Sequence, residues 1–176
     1  MCKVRGKSIN IEECYDIDGE QEYRYLLTRW WDKGDKEVTV IMCNPSKASS
    51  LCEDRTVMNL NSFLAAKGYN KIKILNLFAF KNTKVEELKN RNNIFELKND
   101  EIMRETLLNS KLIVVAWGYG KENKKSYILN KILDVKDILL QCKCKVECFA
   151  DEKGNKNVHP LLLDRGEFFL TNYFNN

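Results

Sequence analysis

The chain reads as an α/β domain. The expected form is a three-layer αβα sandwich on a mainly parallel central sheet of about four strands, with an antiparallel strand at its N-terminal edge. Short β-branched runs alternate with segments of helical period, the spacing that βαβ crossovers produce. The runs are apolar throughout rather than at every second residue, as in strands covered on both faces. Most stop at or near a polar residue or a glycine, and in open α/β sheets that carboxyl end is where ligands bind.

Tyr23 to Trp31 is rich in β-formers, and Asp32-Lys-Gly-Asp-Lys36 supplies turn residues before Val38. This reads as an antiparallel hairpin that sets an extra strand beside the main sheet. The residues before Tyr23 are weakly patterned and carry no assignment. Val38-Thr-Val-Ile-Met42 is the first buried parallel strand, broken by Asn44-Pro45. After Ser46 comes a polar loop, Lys47 to Arg55. Asp54 is placed to cap a helix in which Val57, Leu60, Phe63 and Leu64 recur at helical spacing, and Gly68 closes it.

Lys71 to Phe78 is the second buried strand, with Asn76 a polar residue in an apolar setting. Thr83 and Glu86 form a capping box that opens a short helix through Leu88. Asn99 is placed to cap a further helix with Ile102, Thr106 and Leu107 on one face. Leu112 to Trp117 is the third strand, stopped by Gly118. Lys124 to about Val135 has helical period, with Tyr127, Ile128, Ile132 and Val135 inward. Lys145 to Phe149 is the fourth strand. A polar loop, Asp151 to Asn157, leads into His159-Pro160, and the tail from Gly166 to Asn176 is aromatic but short.

With 176 residues and no linker, repeat or low-complexity segment, residues 1–176 read as one domain. A hydrophobic content of 44% with 31% charged residues is that of a soluble globular protein. No apolar run approaches the roughly 18 residues of a membrane span. The N-terminus lacks the apolar core of a signal peptide, so a cytoplasmic protein is expected. A net charge of +4 permits nucleic-acid binding, but a binding face needs local clustering. The seven cysteines include no C-x-x-C pair, and Cys142-x-Cys144-x-x-x-Cys148 lacks zinc spacing. They read as reduced core residues, with Cys142 and Cys144 alternating along a strand. No metal, cofactor or obligate protein partner is implied.

The chain has two prolines, and each follows a polar residue of catalytic type: Asn44 before Pro45, and His159, the one histidine, before Pro160. The two loops are expected to face one another across a single site. No G-x-G-x-x-G or Walker loop is present, and no serine or cysteine is paired with His159 for acyl transfer. Each residue also has a structural reading. Asn44 starts a turn, Asn76 ties loops, His159 is a structural loop residue, Asp54 is a helix cap, and Trp117 is core.

Asn44-Pro-Ser46, Asp54-x-Thr56, Asn76-Leu-Phe-Ala-Phe80, Ala116-Trp-Gly118 and His159-Pro-Leu161 resemble, in this order, the bacterial family catalogued as domain of unknown function 1643. The likeness spans roughly residues 23 to 163. The family tends to have Thr at Lys47, Pro at Arg55, Arg at Lys81 and Pro at Asn157, departures that bear on loop conformation. More remotely, the motif order is similar to the uracil-DNA glycosylase superfamily. Its members carry an Asp-Pro or Asn-Pro strand end, a base-reading asparagine, a Trp-Gly strand end and a His-Pro-Ser. Here Leu161 replaces the serine, and the acidic residue and tyrosine of the most active branch are missing.

That remoter resemblance implies a glycosylase-like fold and a hydrolase of the base N-glycosidic bond, acting on DNA or a nucleotide. Asn44 and His159 would be catalytic. Asn44 would orient a water through its amide oxygen, and a neutral His159 would stabilise the departing base. Asn76 would read the base edge, and Phe78 or Phe80 would stack on the base. Ser46, Asp54, Trp117 and Gly118 complete the candidate binding set. Leu163 stands where a wedge could enter a duplex, and Lys47, Lys81 and Lys153 are available to phosphate. The alternatives are a non-catalytic nucleic-acid or nucleotide-binding module with the same pocket, and a hydrolase or transferase of small nucleotides.

Overall fold

The computed structural model describes residues 9–31, 34–46, 54–82, 85–118 and 125–175. Among these the chain forms a seven-stranded mixed sheet and three α-helices. The strands are β1 (Asn10–Asp18), β2 (Gln21–Trp30), β3 (Glu37–Met42), β4 (Lys71–Asn76), β5 (Leu112–Val115), β6 (Lys145–Asp151) and β7 (Phe168–Asn172). They lie in the order β1-β2-β4-β3-β5-β6-β7. The four expected buried runs are the parallel centre: β3 pairs with β4 and β5, and β5 with β6.

The helices are α1 (Arg55–Ala66), α2 (Asn93–Leu108) and α3 (Ser126–Leu139). Because strand side chains alternate between faces, the sheet serves two separate cores. Val38, Val40, Ile72, Ile74 and Val114 pack with Val57, Leu60 and Leu64 of α1. Ile41, Leu75, Ile113 and Val115 pack with Met103 and Leu107 of α2 and Ile128, Ile132, Val135 and Leu139 of α3. Leu60 and Leu64 are fully buried, and truncating either to alanine is expected to cost about 2–5 kcal/mol.

Several expectations need correcting. The N-terminal antiparallel part is two strands, not one, and its hairpin is β1–β2, turning at Gly19 with φ +60°. The two-residue loop is Gly19-Glu20, and glycine at its first position is what a type II′ turn requires. β2 adds to β4, with Leu27 opposite Ile74, rather than to β3. The reason is that β3 already has a parallel neighbour on each side, so no edge remains for a hairpin partner. The tail adds β7, antiparallel to β6. Its apolar residues were too few to read as a strand without the exposed edge that β6 provides.

The second correction concerns α2. It begins at Asn93, where the Asn92 side chain accepts from Ile94 N. Asn99 is therefore not a cap but a fully buried mid-helix residue. The short helix expected through Leu88 is a 3-10 helix over Val85–Asn90; Thr83 of the capping box lies outside the described residues. Lys124, the expected start of α3, also lies outside them, as do Lys47, Cys2, Cys52 and part of the Asp32–Lys36 turn. Cys142 and Cys144 precede β6 rather than alternating along it. Cys142 Sγ instead donates to Leu107 O and Ile138 O at a helix end. The described cysteines, Cys14, Cys43, Cys142, Cys144 and Cys148, are free thiols. Among the described residues no helix is long and apolar enough to cross a membrane.

Candidate functional site

The connection after β3 runs to α1 on one face, while those after β4 and β5 run to α2 and α3 on the other. The chain thus parts at the carboxyl end of β3, the topological switch point where α/β sheets open a crevice. Asn44 lies on this end. Its Nδ2 donates to Asn82 O at 2.5 Å and to Pro45 O at 3.3 Å. Asn82 N in turn donates to Pro45 O at 3.0 Å. The Asn-Pro loop is stitched to the segment after β4, and this fixes which way the amide faces. Its oxygen accepts no hydrogen bond from the described residues. Ser46 follows, half-buried.

Asn76 is the last residue of β4, opposite Met42, so its side chain shares the α1 face of the sheet. It is 1% exposed, and neither its amide nitrogen nor its oxygen has a hydrogen-bond partner among the described residues. A buried amide with both ends idle is costly and rare. The backbone around it is held firmly from behind by α2. Asn99 Nδ2 donates to Asn76 O at 3.1 Å and Leu77 O at 3.3 Å. The Glu96 carboxylate accepts from Ala79 N and Phe80 N, at 3.1 Å each. Burial pushes the Glu96 carboxyl above its ordinary value, against these two donors.

Phe78 and Phe80 are both buried. Phe78 lies beneath the Arg91 guanidinium, 4.8 Å from its ring centre, with the Tyr127 ring edge-on. Phe80 packs on Tyr23. Trp117 is also buried, edge-on to Tyr173.

Gly118, past β5, brings the last motif in. Its φ is +79°, and a Cβ there would come within 3.0 Å of His159 Cβ and 3.2 Å of Cδ2. Only glycine allows that backbone and that approach. His159 opens a 3-10 turn over Pro160–Leu162, its Nδ1 accepting from Leu161 N at 3.2 Å. With Nδ1 an acceptor, the neutral ring carries its proton on Nε2. Burial depresses the imidazole's affinity for a second proton, and the Asp54 charge opposes this weakly. Asp54 caps α1, its Oδ1 accepting from Val57 N at 2.8 Å.

The start of α1 is latched to the histidine loop. Asn59 Nδ2 donates to Leu161 O at 3.1 Å, and Arg55 Nε donates to Asp164 Oδ2 at 2.9 Å. Beside His159 opens a cavity of about 590 Å³, lined by the apolar Val158, Leu161, Leu162 and Phe168 and by the polar Asp151, Asn155 and Arg165. Leu163 is half-buried and packs towards the α1 core. The structure thus gathers Asp54, Gly118 and His159 into one group. Asn44 and Asn76 stand on neighbouring strand ends and do not line the His159 cavity. Among the described residues no three His, Cys, Asp or Glu side chains are grouped to hold a metal ion.

A family model, "Protein of unknown function (DUF1643)", matches residues 24–161. The chain belongs to the DUF1643 family. The match takes in every strand end described above, from the Asn-Pro loop to the His-Pro turn. No curated protein and no solved structure matches this DUF1643 chain. Within the same span are residues that the sequence pattern missed. Glu96 and Asn99 hold the Asn76 loop, but Glu96 carried no signal and Asn99 read as a helix cap. Arg24 is buried in β2 with Nη1 3.3 Å from Glu13 Oε1 and its Nε unpaired; nothing in the pattern singled it out.

Proposed function

We propose that this DUF1643 chain is a hydrolase of base N-glycosidic bonds, acting on a nucleobase in DNA or in a nucleotide. The observation that carries the reading is His159. Its Nδ1 is occupied by Leu161 N–H and burial disfavours a second proton, so that Nε2–H is the ring's donor. A neutral donor suits a leaving base. As the bond from sugar carbon to base nitrogen breaks, the electron pair goes to the base, and Nε2–H stabilises that charge without committing a full proton. Water supplies the new bond to the sugar carbon. The Asn44 amide is oriented by Asn82 O and offers its oxygen to that water. An amide cannot take the water's proton, which passes to solvent and from there to the departed base, so that the sugar gains a hydroxyl and the base leaves neutral. The idle amide of Asn76 has the donor and the acceptor that a base edge needs. The remote resemblance of the motif order to the uracil-DNA glycosylase superfamily, without its serine after His-Pro, prompts the same reading.

The test is release of free base from a panel of modified single- and double-stranded oligonucleotides and nucleotides. The parent should release base from at least one of them, and Asn44→Ala should slow that release about 10²-fold or more. No release by the parent, or equal release by the variant, removes the proposal. One observation favours a second reading, a non-catalytic binding module: an amide, Asn44, occupies the strand end where a carboxylate would serve as base. Binding that weakens steeply with salt, without base release, selects it.

A further inference from the structure

We propose that β1 is a docking edge for an extended, basic segment of another protein, which would add an eighth strand to the sheet. β1 is an edge strand of nine residues, paired only with β2. Edge strands are normally guarded by charged side chains, lysine above all, by proline, by shortness or by a bulge. β1 contains no lysine and no proline, and the irregularity in the pair places the extra residue, Tyr25, on β2. Among the described residues the outer ladder of β1 is therefore regular and unpaired, and its guard is acidic side chains alone.

Its side chains carry two distinct signals. Glu13 reaches Arg24, while Asp16 reaches Tyr25 and Lys98 of α2 on the opposite face. By alternation, Ile11, Tyr15 and Ile17 share the face away from α2. They are 38%, 51% and 64% exposed, apolar positions interrupted by Glu13, and no described helix packs on them. The strand also holds Glu12, Glu13, Asp16 and Asp18 and no basic residue, in a chain of net charge +4. Glu12 has no partner among the described residues.

Charge decides the occupant. Antiparallel pairing with a second copy about Cys14 sets Glu12 opposite Asp16. Pairing about Glu13 sets that carboxylate on itself, and pairing about Tyr15 sets Glu12 opposite Asp18. Like charges directly opposite are destabilising, so the strand rejects its own copy. A segment alternating β-branched residues with Lys or Arg meets both the apolar positions and the carboxylates, the β-augmentation mode of recognition.

The experiment titrates the full chain with two fluorescent peptides of about eight residues, one alternating Val and Lys and one of the same composition with central prolines. The alternating peptide should bind saturably and protect the β1 amides from hydrogen exchange. The proline peptide should not bind, and the doubly substituted chain Ile11→Lys, Ile17→Lys should bind at least about tenfold more weakly at unchanged Tm. Failure of the alternating peptide to bind, equal binding of both peptides, or indifference to the double substitution overturns the proposal. So does a concentration-dependent dimer of the parent in sedimentation that the substitutions abolish, because the edge then belongs to a second copy.

Discussion

Replacing Asn76 by leucine should make the protein more stable. The residue is 1% exposed, and its amide nitrogen and oxygen are both without partners among the described residues. Each unsatisfied buried polar group costs about 1–3 kcal/mol. Leucine has similar volume, removes both groups and adds an apolar side chain to a site flanked by Met42 and Ile74. Against this, a branched side chain in a space shaped by a flat amide costs about 1–2 kcal/mol of strain. The net expectation is a gain of about 1–3 kcal/mol, or roughly 3–10 °C in Tm for a chain of this size. Urea unfolding followed by tryptophan fluorescence, with a thermal scan, measures both. A loss of about 2 kcal/mol or more would refute the reasoning. It would mean that the amide is satisfied in the folded protein and is a structural tie, not a group kept idle for a ligand.

Other consequences follow from single groups. The one histidine gives an isolated NMR titration, and His159 should titrate below the ordinary 6.5. Because the folded value is depressed, the unfolded chain takes the proton first. Stability is full above 6.5 and falls as pH drops through the depressed value, a slope that His159→Asn should flatten. Glu96 has the opposite sign. Its folded value is raised above the ordinary 4.5, so its contribution is complete below 4.5 and is lost as pH climbs through the raised value. Glu96→Gln should remove that slope while keeping one acceptor for Ala79 N and Phe80 N, and a Tm series across pH reads the difference. Asp54→Ala removes the cap on Val57 N and should cost about 1 kcal/mol in urea unfolding. It should also lower the His159 titration further, because the charge that opposes the depression is gone.

The parallel centre of the fold was legible because four apolar runs with polar ends admit few other arrangements. Asp54 was legible as a cap because the α1 periodicity starts just after it. The margins of the sheet were harder. β1 is exposed on both faces and carries no apolar alternation strong enough to announce a strand, and Gly19 alone gave no assignment. The position of β2 depended on β3 already having a neighbour on each side, which is a property of the whole chain. Asn99 misled because asparagine favours helix caps, whereas here its amide is spent on the carbonyls of Asn76 and Leu77. In the candidate site, the strand ends and the His-Pro turn could be read from sequence. The contact between Gly118 and His159, the latch from α1 to the His159 loop and the clamp by Glu96 could not, because each joins residues far apart in sequence.

The most direct trial of the proposed chemistry is single-turnover base release by the parent and by His159→Gln, with substrate affinity measured alongside. If Nε2–H stabilises the leaving base, the parent releases base and the variant is slowed about 10²–10³-fold while binding substrate nearly as well. Unchanged release by the variant, or none by the parent on any substrate that it binds, contradicts the account.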